Sequence, residues 1–185
     1  MLLYGTKHLV CRAQARDLLA RGAAEGWGLS ALPEEGRLPG GKPWFPAAPE
    51  RQFNLSHSGS LALCALDDRP VGADLQIVKE RWRPGLMDRI CSPAEREWLA
   101  ARGDRWADFA LLWAMKESRV KQTGEGLTRA IRGIAVPLPE AGETLCPLGP
   151  LWFGLYGGEG WRAAVCGLTP PPKEITWLDG EPDFA

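Results

Sequence analysis

The chain has 185 residues, 45% hydrophobic and 24% charged, which is enough apolar material for one domain core or two small lobes that share one. Lys and Arg number 22 against 23 Asp and Glu, a net charge of −1, so no global field draws in nucleic acid. An anionic ligand must therefore be held by local positive residues. No run approaches the roughly 18 apolar residues of a membrane span. The first stretch is interrupted by Lys7, Arg12, Arg16 and Asp17, which argues against a secretory leader. Cys11, Cys64, Cys91, Cys146 and Cys166 are scattered without a CxxC pair, as expected of reduced thiols in a cytoplasmic protein. His8 and His57 are the only histidines, too few for a histidine-built zinc site.

In chain order, residues 8–25 read as a helix. Leu9, Arg12, Arg16, Leu19 and Ala20 recur at helical spacing, and Gly22 weakens the end. A loop rich in Pro and Gly follows, LPEEGRLPGGKPWFPAAPE. Residues 51–78 then read as strand, loop and hairpin, with Leu61 to Leu66 a buried strand, Asp67, Asp68 and Arg69 its turn, and Pro70 opening the next strand. SPAEREWLAARG predicts a short helix with Ser92 as N-cap, Pro93 first and Glu95 closing a capping box. Asp104 is the expected cap of a longer helix, RWADFALLWAMKESRVKQT, whose apolar stripe is Phe109, Leu112, Trp113 and Val120 and which stops at Gly124. AIRGIAVPL, LWFGLYG and WRAAVCGL read as strands, and the tail from Pro170 as irregular. The order of elements suits an α+β protein.

Three segments hold the chemistry-bearing residues. In the strand VGADLQ, alternation puts Asp74 and Gln76 on one face, and Gly72 allows a backbone or ligand to come close. In the long helix, Glu117 and Lys121 are four apart and share a face, while Lys116 points elsewhere among apolar neighbours and is expected to lead its ammonium out along its stem. In FNLSHSG, Ser56, His57 and Ser58 line up before a glycine. Taken one at a time, these are also a solvated strand-end carboxylate, a surface ion pair of little energetic weight and a turn with local side-chain bonds.

Together the segments resemble one family. Gly41-Lys42-Pro43, Phe53-Asn54-Leu55-Ser56-His57-Ser58, Gly72-Ala73-Asp74-Leu75-Gln76, Ser92-Pro93-Ala94-Glu95 and the helix from Trp113 to Leu127 occur in the order and spacing of the GKP, FNxSHS, GxDxE, SxxE and WxxKESxxKxxGxGL motifs. These are motifs of 4′-phosphopantetheinyl transferases of the surfactin-type, two-lobe branch. The resemblance covers residues 41–127. It implies an α+β fold of two similar lobes, about 1–71 and 72–185, each an antiparallel sheet packed on a long helix, with coenzyme A between them and the chain a monomer. It implies transfer of the phosphopantetheine arm of coenzyme A to a serine of an apo acyl or peptidyl carrier protein, releasing 3′,5′-ADP. Mg²⁺, or Mn²⁺ in its place, would be held by Asp74, Gln76 and Glu117. Glu117 would also take the serine proton, and Lys121 would contact the phosphates and steady the leaving group. Arg12, Lys42, Ser56, His57, Lys116 and Lys121 would bind coenzyme A, and Glu95 would lie near the metal water and the active-site lysine.

Two departures carry expectations of their own. Gln76 stands where the branch has Glu, which removes one negative charge and predicts weaker or altered metal binding. The branch also has more residues, some basic, ahead of its first helix, so Lys7 or His8 would compensate or the 3′-phosphate would be held more weakly. Two other readings stay open: a coenzyme A or carrier-binding module without chemistry, and a metal-dependent phosphohydrolase with water as nucleophile. Trp82, Trp98 or Trp106 would form a carrier-docking patch or simply pack in the core, and Arg81, Arg83 and Arg89 would meet an acidic carrier helix.

Overall fold

The computed structural model describes residues 1–9, 11, 13–80, 85–126 and 131–178. β1 (Leu2–Thr6) precedes α1 (Gln14–Trp27), followed by a small ribbon of β2 (Gly36–Arg37) and β3 (Pro43–Trp44). Next come β4 (Gln52–Ser58), β5 (Leu61–Asp67) and β6 (Val71–Ile77). The helices α2 (Leu86–Ile90), α3 (Pro93–Ala100) and α4 (Trp106–Thr123) lead to a 3₁₀ turn at Ile131–Gly133. β7 (Leu145–Leu148), β8 (Leu151–Gly158), β9 (Trp161–Gly167) and β10 (Thr176–Trp177) complete the fold.

The strands form two four-stranded sheets, ordered β10-β1-β5-β4 and β6-β9-β8-β7. The two sheets face each other and a helix covers each outer face. β5 lies in the middle of this stack, so its sequence LALCALD is buried throughout. Its alternation serves two cores. Leu61, Leu63 and Ala65 pack with Ala73, Leu75, Ala163 and Val165 of the opposite sheet. Ala62, Cys64 and Leu66 pack with Leu18 and Leu19 of α1. On the far side, Phe109, Leu112 and Met115 of α4 bury against Phe153, Ala164 and Cys166. Each large side chain so buried contributes roughly 1.5–3 kcal/mol.

Several expectations change here. The first helix starts at Gln14 and its buried stripe is Ala15, Leu18, Leu19, Gly22 and Ala23, so Arg16 faces outward. Gly22 lies inside the helix rather than ending it: a Cβ there would come within 2.9 Å of the Tyr4 ring, so only glycine lets α1 close onto β1. The helix ends at Gly28, at φ 68°. The hairpin is β4–β5, whereas β6 leaves for the second sheet and pairs with β9. Ser56, His57 and Ser58 accordingly lie in a strand, not a turn.

The capping box at Ser92 and Glu95 forms as expected. Asp104 does not cap α4: it sits at φ 51°, its N–H bonds to Leu99 O, and Arg105 is the N-cap. Residues 131–139 form the 3₁₀ turn and irregular backbone, not a strand. β7 escaped the sequence pattern because Pro147 disguises it; a proline is tolerated there on the sheet edge. The tail is not wholly irregular, since β10 adds to β1 in parallel. Among the described residues no helix is long and apolar enough to cross a membrane.

Candidate active site

The site lies where β4 and β6, the edges of the two sheets, meet the C-terminal half of α4. Gly72 sets how close α4 comes. A Cβ at that position would fall 1.9 Å from Ser118 O and 2.4 Å from Gln122 N, so no other residue lets helix and strand touch. Asp74 and Lys121 are thereby brought together.

Asp74 is 4% exposed. Its Oδ1 accepts hydrogen bonds from Lys121 Nζ at 2.6 Å and Ser56 Oγ at 3.0 Å, and its Oδ2 from Gln76 Nε2 at 2.7 Å. A carboxylate only accepts, so the chemistry itself orients the Gln76 amide. Lys121 also donates to Ala73 O at 3.2 Å and to Ser56 Oγ at 3.3 Å. Ser56 Oγ in addition accepts from Leu75 N at 3.0 Å, which uses its one donor and two acceptor positions. Glu117 sits one turn before Lys121 and is half-buried. Burial pushes its pKa up, the nearby Asp74 charge adds to this, and Lys121 opposes it.

A cavity of about 520 Å³ opens from this cluster towards α1. Arg16, Glu35, Arg37, His57, Ser56, Asp74 and Lys121 supply its polar wall. Arg16 Nη2 pairs with Glu35 Oε1 at 2.7 Å, and Arg37 Nη1 donates to Gly41 O at 3.0 Å. The sequence reading missed Arg37 and Glu35 and placed Arg16 only in a helical stripe. Arg37 was within reach, since it flanks the GKP loop, but no local signal joins Arg16 to Glu35 across nineteen positions.

The structure therefore gathers Ser56, His57, Asp74, Gln76, Glu117 and Lys121. It does not bring Lys42 or Lys116 to the cavity wall. The Lys42 ammonium turns inward and donates to Val71 O at 2.8 Å and Gln122 O at 3.1 Å, and desolvation lowers its pKa to about 8. Lys116 is wholly buried and does not lead its ammonium outward. It pairs with Glu95 Oε1 at 2.9 Å and donates to Ile131 O and Ile134 O at 3.0 and 3.1 Å. Glu95 is thus the capping-box partner and the Lys116 counter-ion at once.

Arg12, Arg81, Trp82 and Arg83 lie outside the described residues. Trp98 packs in the core with its indole donating to Pro139 O. Trp106 lines an apolar groove with Phe109 and Trp113, and Arg89 is exposed.

Among the described residues no group of three His, Cys, Asp or Glu could hold a metal ion. The donors nevertheless fit a hard cation. Magnesium commonly takes one or two carboxylates together with water and substrate phosphate oxygens. Asp74 and Glu117 are two such carboxylates, close enough for one charge to raise the pKa of the other. The Gln76 carboxamide presents its nitrogen to Asp74, so its neutral oxygen would serve the ion only once the amide turns over.

A buried carboxylate gripped by lysine thus opens into a cleft that also carries Arg16, Arg37 and His57. Residues 70–166 match the 4′-phosphopantetheinyl transferase superfamily. The chain is 38% identical over 140 residues to a 4′-phosphopantetheinyl transferase of Bacillus subtilis, covering 70% of this chain and 61% of the relative. It is 35% identical over 152 residues to 4′-phosphopantetheinyl transferase Sfp of Bacillus subtilis (strain 168), covering 76% and 66%. It is 37% identical over 154 residues to 4′-phosphopantetheinyl transferase AcpT of Salmonella typhi, covering 80% and 73%. The alignments to the two Bacillus relatives thus span less than two thirds of those proteins. The chain belongs to the 4′-phosphopantetheinyl transferase superfamily.

Proposed function

We propose that this protein transfers the 4′-phosphopantetheine arm of coenzyme A to a serine hydroxyl of an apo acyl or peptidyl carrier protein, releasing 3′,5′-ADP. The observation that carries this is the buried Asp74–Lys121–Ser56 cluster from which the cleft opens, with Glu117 beside it. Phosphoryl transfer needs positioning and charge neutralisation more than covalent help from the protein.

Arg16, Arg37 and His57 line the cleft and are suited to the anionic groups of coenzyme A. Asp74 and Glu117, with the Gln76 carboxamide, would hold Mg²⁺, which supplies Lewis-acid polarisation of the phosphoryl group. Glu117 is the proton acceptor for the incoming serine. Its raised pKa makes it a stronger base than an ordinary exposed carboxylate. Lys121, 28% exposed, faces the cleft and offsets charge on the 5′-phosphate of the departing 3′,5′-ADP. Ser56 has every hydrogen-bonding position used within the protein, so its role is to hold Asp74 and Lys121 together rather than to bind ligand. One chain contributes both walls of the cleft, which suits a monomer. Buried cysteines without disulfides suit the reducing cytoplasm.

The test is the intact mass of an apo carrier protein incubated with this protein, coenzyme A and Mg²⁺. A gain of one phosphopantetheine arm, absent with Glu117→Ala, is the expected result. No gain across several carriers, with coenzyme A still bound, would replace the reading by a non-catalytic coenzyme A-binding module. The Gln76 amide filling Asp74 Oδ2 would favour that outcome.

A further inference from the structure

β6 is the outer strand of its sheet, and the N–H groups of Ala73, Leu75 and Ile77 point away from β9. Unpaired edge groups of this kind need partners. β4 lies alongside but does not join the sheet. It offers side chains instead of backbone. Asn54 Oδ1 accepts from Ala73 N at 2.9 Å, Ser56 Oγ from Leu75 N at 3.0 Å, and Ser58 Oγ from Ile77 N at 3.0 Å. Every second side chain of one strand thus meets every second N–H of the other.

We propose that Asn54 and Ser58 are positioning residues for the transfer reaction: they clamp β6 on either side of Asp74 and set the register in which Asp74 meets Ser56 and Lys121. The inference rests on the transferase reading above. Within a sheet, a backbone ladder fixes register. Between these two edges the described contacts that fix it are side-chain bonds. A slip of one residue would turn Asp74 to the other face of β6. A slip of two would put Ala73 N or Ile77 N opposite Ser56 and take Asp74 away from it. Ser56 alone cannot hold the register, because its hydroxyl is also shared with Asp74 and Lys121. The flanking bonds have no such second duty. Asn54 is 5% exposed, and neither it nor Ser58 lines the cleft, so neither acts by touching ligand.

The experiment compares Asn54→Ala, Ser58→Ala, their double variant, Ser58→Thr and the core truncation Val136→Ala. Carrier modification gives kcat and the coenzyme A KM, and amide hydrogen exchange reports on β6. The expected result is a kcat loss on the order of tenfold in each single Ala variant and about 10²-fold in the double, because small misplacements of reacting groups are costly. The coenzyme A KM should stay within about twofold, the pattern of an interaction that matters in the transition state. Ser58→Thr keeps the hydroxyl and restores kcat. Exchange at Ala73 or Ile77 quickens in the matching variant.

A kcat loss no larger than that of Val136→Ala at equal thermal destabilisation would overturn the proposal. So would a change confined to KM. If the wild-type chain modifies no carrier, the functional reading fails, and the exchange arm decides the clamp: unchanged protection at Ala73 and Ile77 overturns it, faster exchange upholds it.

Discussion

Replacing Lys116 by Met separates a structural role from a ligand-binding one. The side chain is 0% exposed and its ammonium meets Glu95 Oε1 and the carbonyls of Ile131 and Ile134. Met fills similar volume but leaves the Glu95 carboxylate, 3% exposed, without its cation. Breaking one side of a buried ion pair costs about 3–5 kcal/mol. The released carbonyls add roughly 1 kcal/mol between them, since the turn can relax towards water. The sum, about 5 kcal/mol, rivals the whole stability of many domains. At about 2–4 °C per kcal/mol for a chain of this size, Tm should fall by roughly 10–20 °C. Glu95→Gln is milder, because the amide oxygen can still accept from Ser92 N and close the cap. Adding it to Lys116→Met should recover stability, since it neutralises the stranded charge. Urea unfolding of the four proteins, with coenzyme A binding by calorimetry, gives the cycle. Lys116→Met within about 1 kcal/mol of wild type, with coenzyme A binding lost, would refute the structural role and return Lys116 to the ligand site.

Three further outcomes follow from the same geometry. Gly72→Ala should destabilise the fold by about 3 kcal/mol or more, because its Cβ meets backbone atoms of α4 that cannot rotate away; a Tm within about 2 °C of wild type would show that the helix gives. Gln76→Glu should tighten Mg²⁺ binding about thirtyfold in calorimetric titration, from the ~2 kcal/mol that one added negative charge contributes to a divalent ion about 4 Å away in a water-like medium; unchanged affinity would show that residue 76 does not face the ion. Lys42 loses its proton near pH 8 when folded but only near 10.5 when unfolded, so the unfolded chain binds more protons in that window and stability rises with pH across it. The rise amounts to about 3 kcal/mol and should vanish in Lys42→Met, as read by urea unfolding at a series of pH values. A parallel rise in both proteins would assign it to other groups.

The family and the central elements were legible because they depend on local spacing. The start of β4, β5, the Ser92–Glu95 box and the Gly124 stop all announce themselves within a few residues. What escaped depends on partners distant in sequence. β10 is two residues long and exists only because β1 offers an edge. The destination of β6 was missed because a tight turn after β5 looks the same whether the next strand returns or crosses over. Lys42 and Lys116 were read as ligand contacts because a lysine in a motif invites that reading. Lys116 did carry a warning, since it continues the buried spacing of Phe109 and Leu112, where a cation needs an anion beside it. Arg16 was misplaced by a helix phase one residue out of step, and the true stripe through Ala15, Leu18 and Leu19 turns it towards Glu35.

The pairing of β10 with β1 also bears on how the chain reaches its native state. Tyr4 and Thr176 become neighbours only after more than 170 residues have been laid down. The β4–β5 and β8–β9 hairpins close short loops and can form early, whereas β1–β10 closes one of the longest loops the chain allows. Trp177, which packs edge-on against Trp161 at 5.9 Å, arrives with that last strand and covers apolar surface between the sheets. Until then a growing chain presents an open strand edge beside an incomplete core, the condition in which off-pathway association competes with folding. By loop-closure entropy the first sheet is expected to be sealed late, and the contact between Trp161 and Trp177 is one of those that complete it.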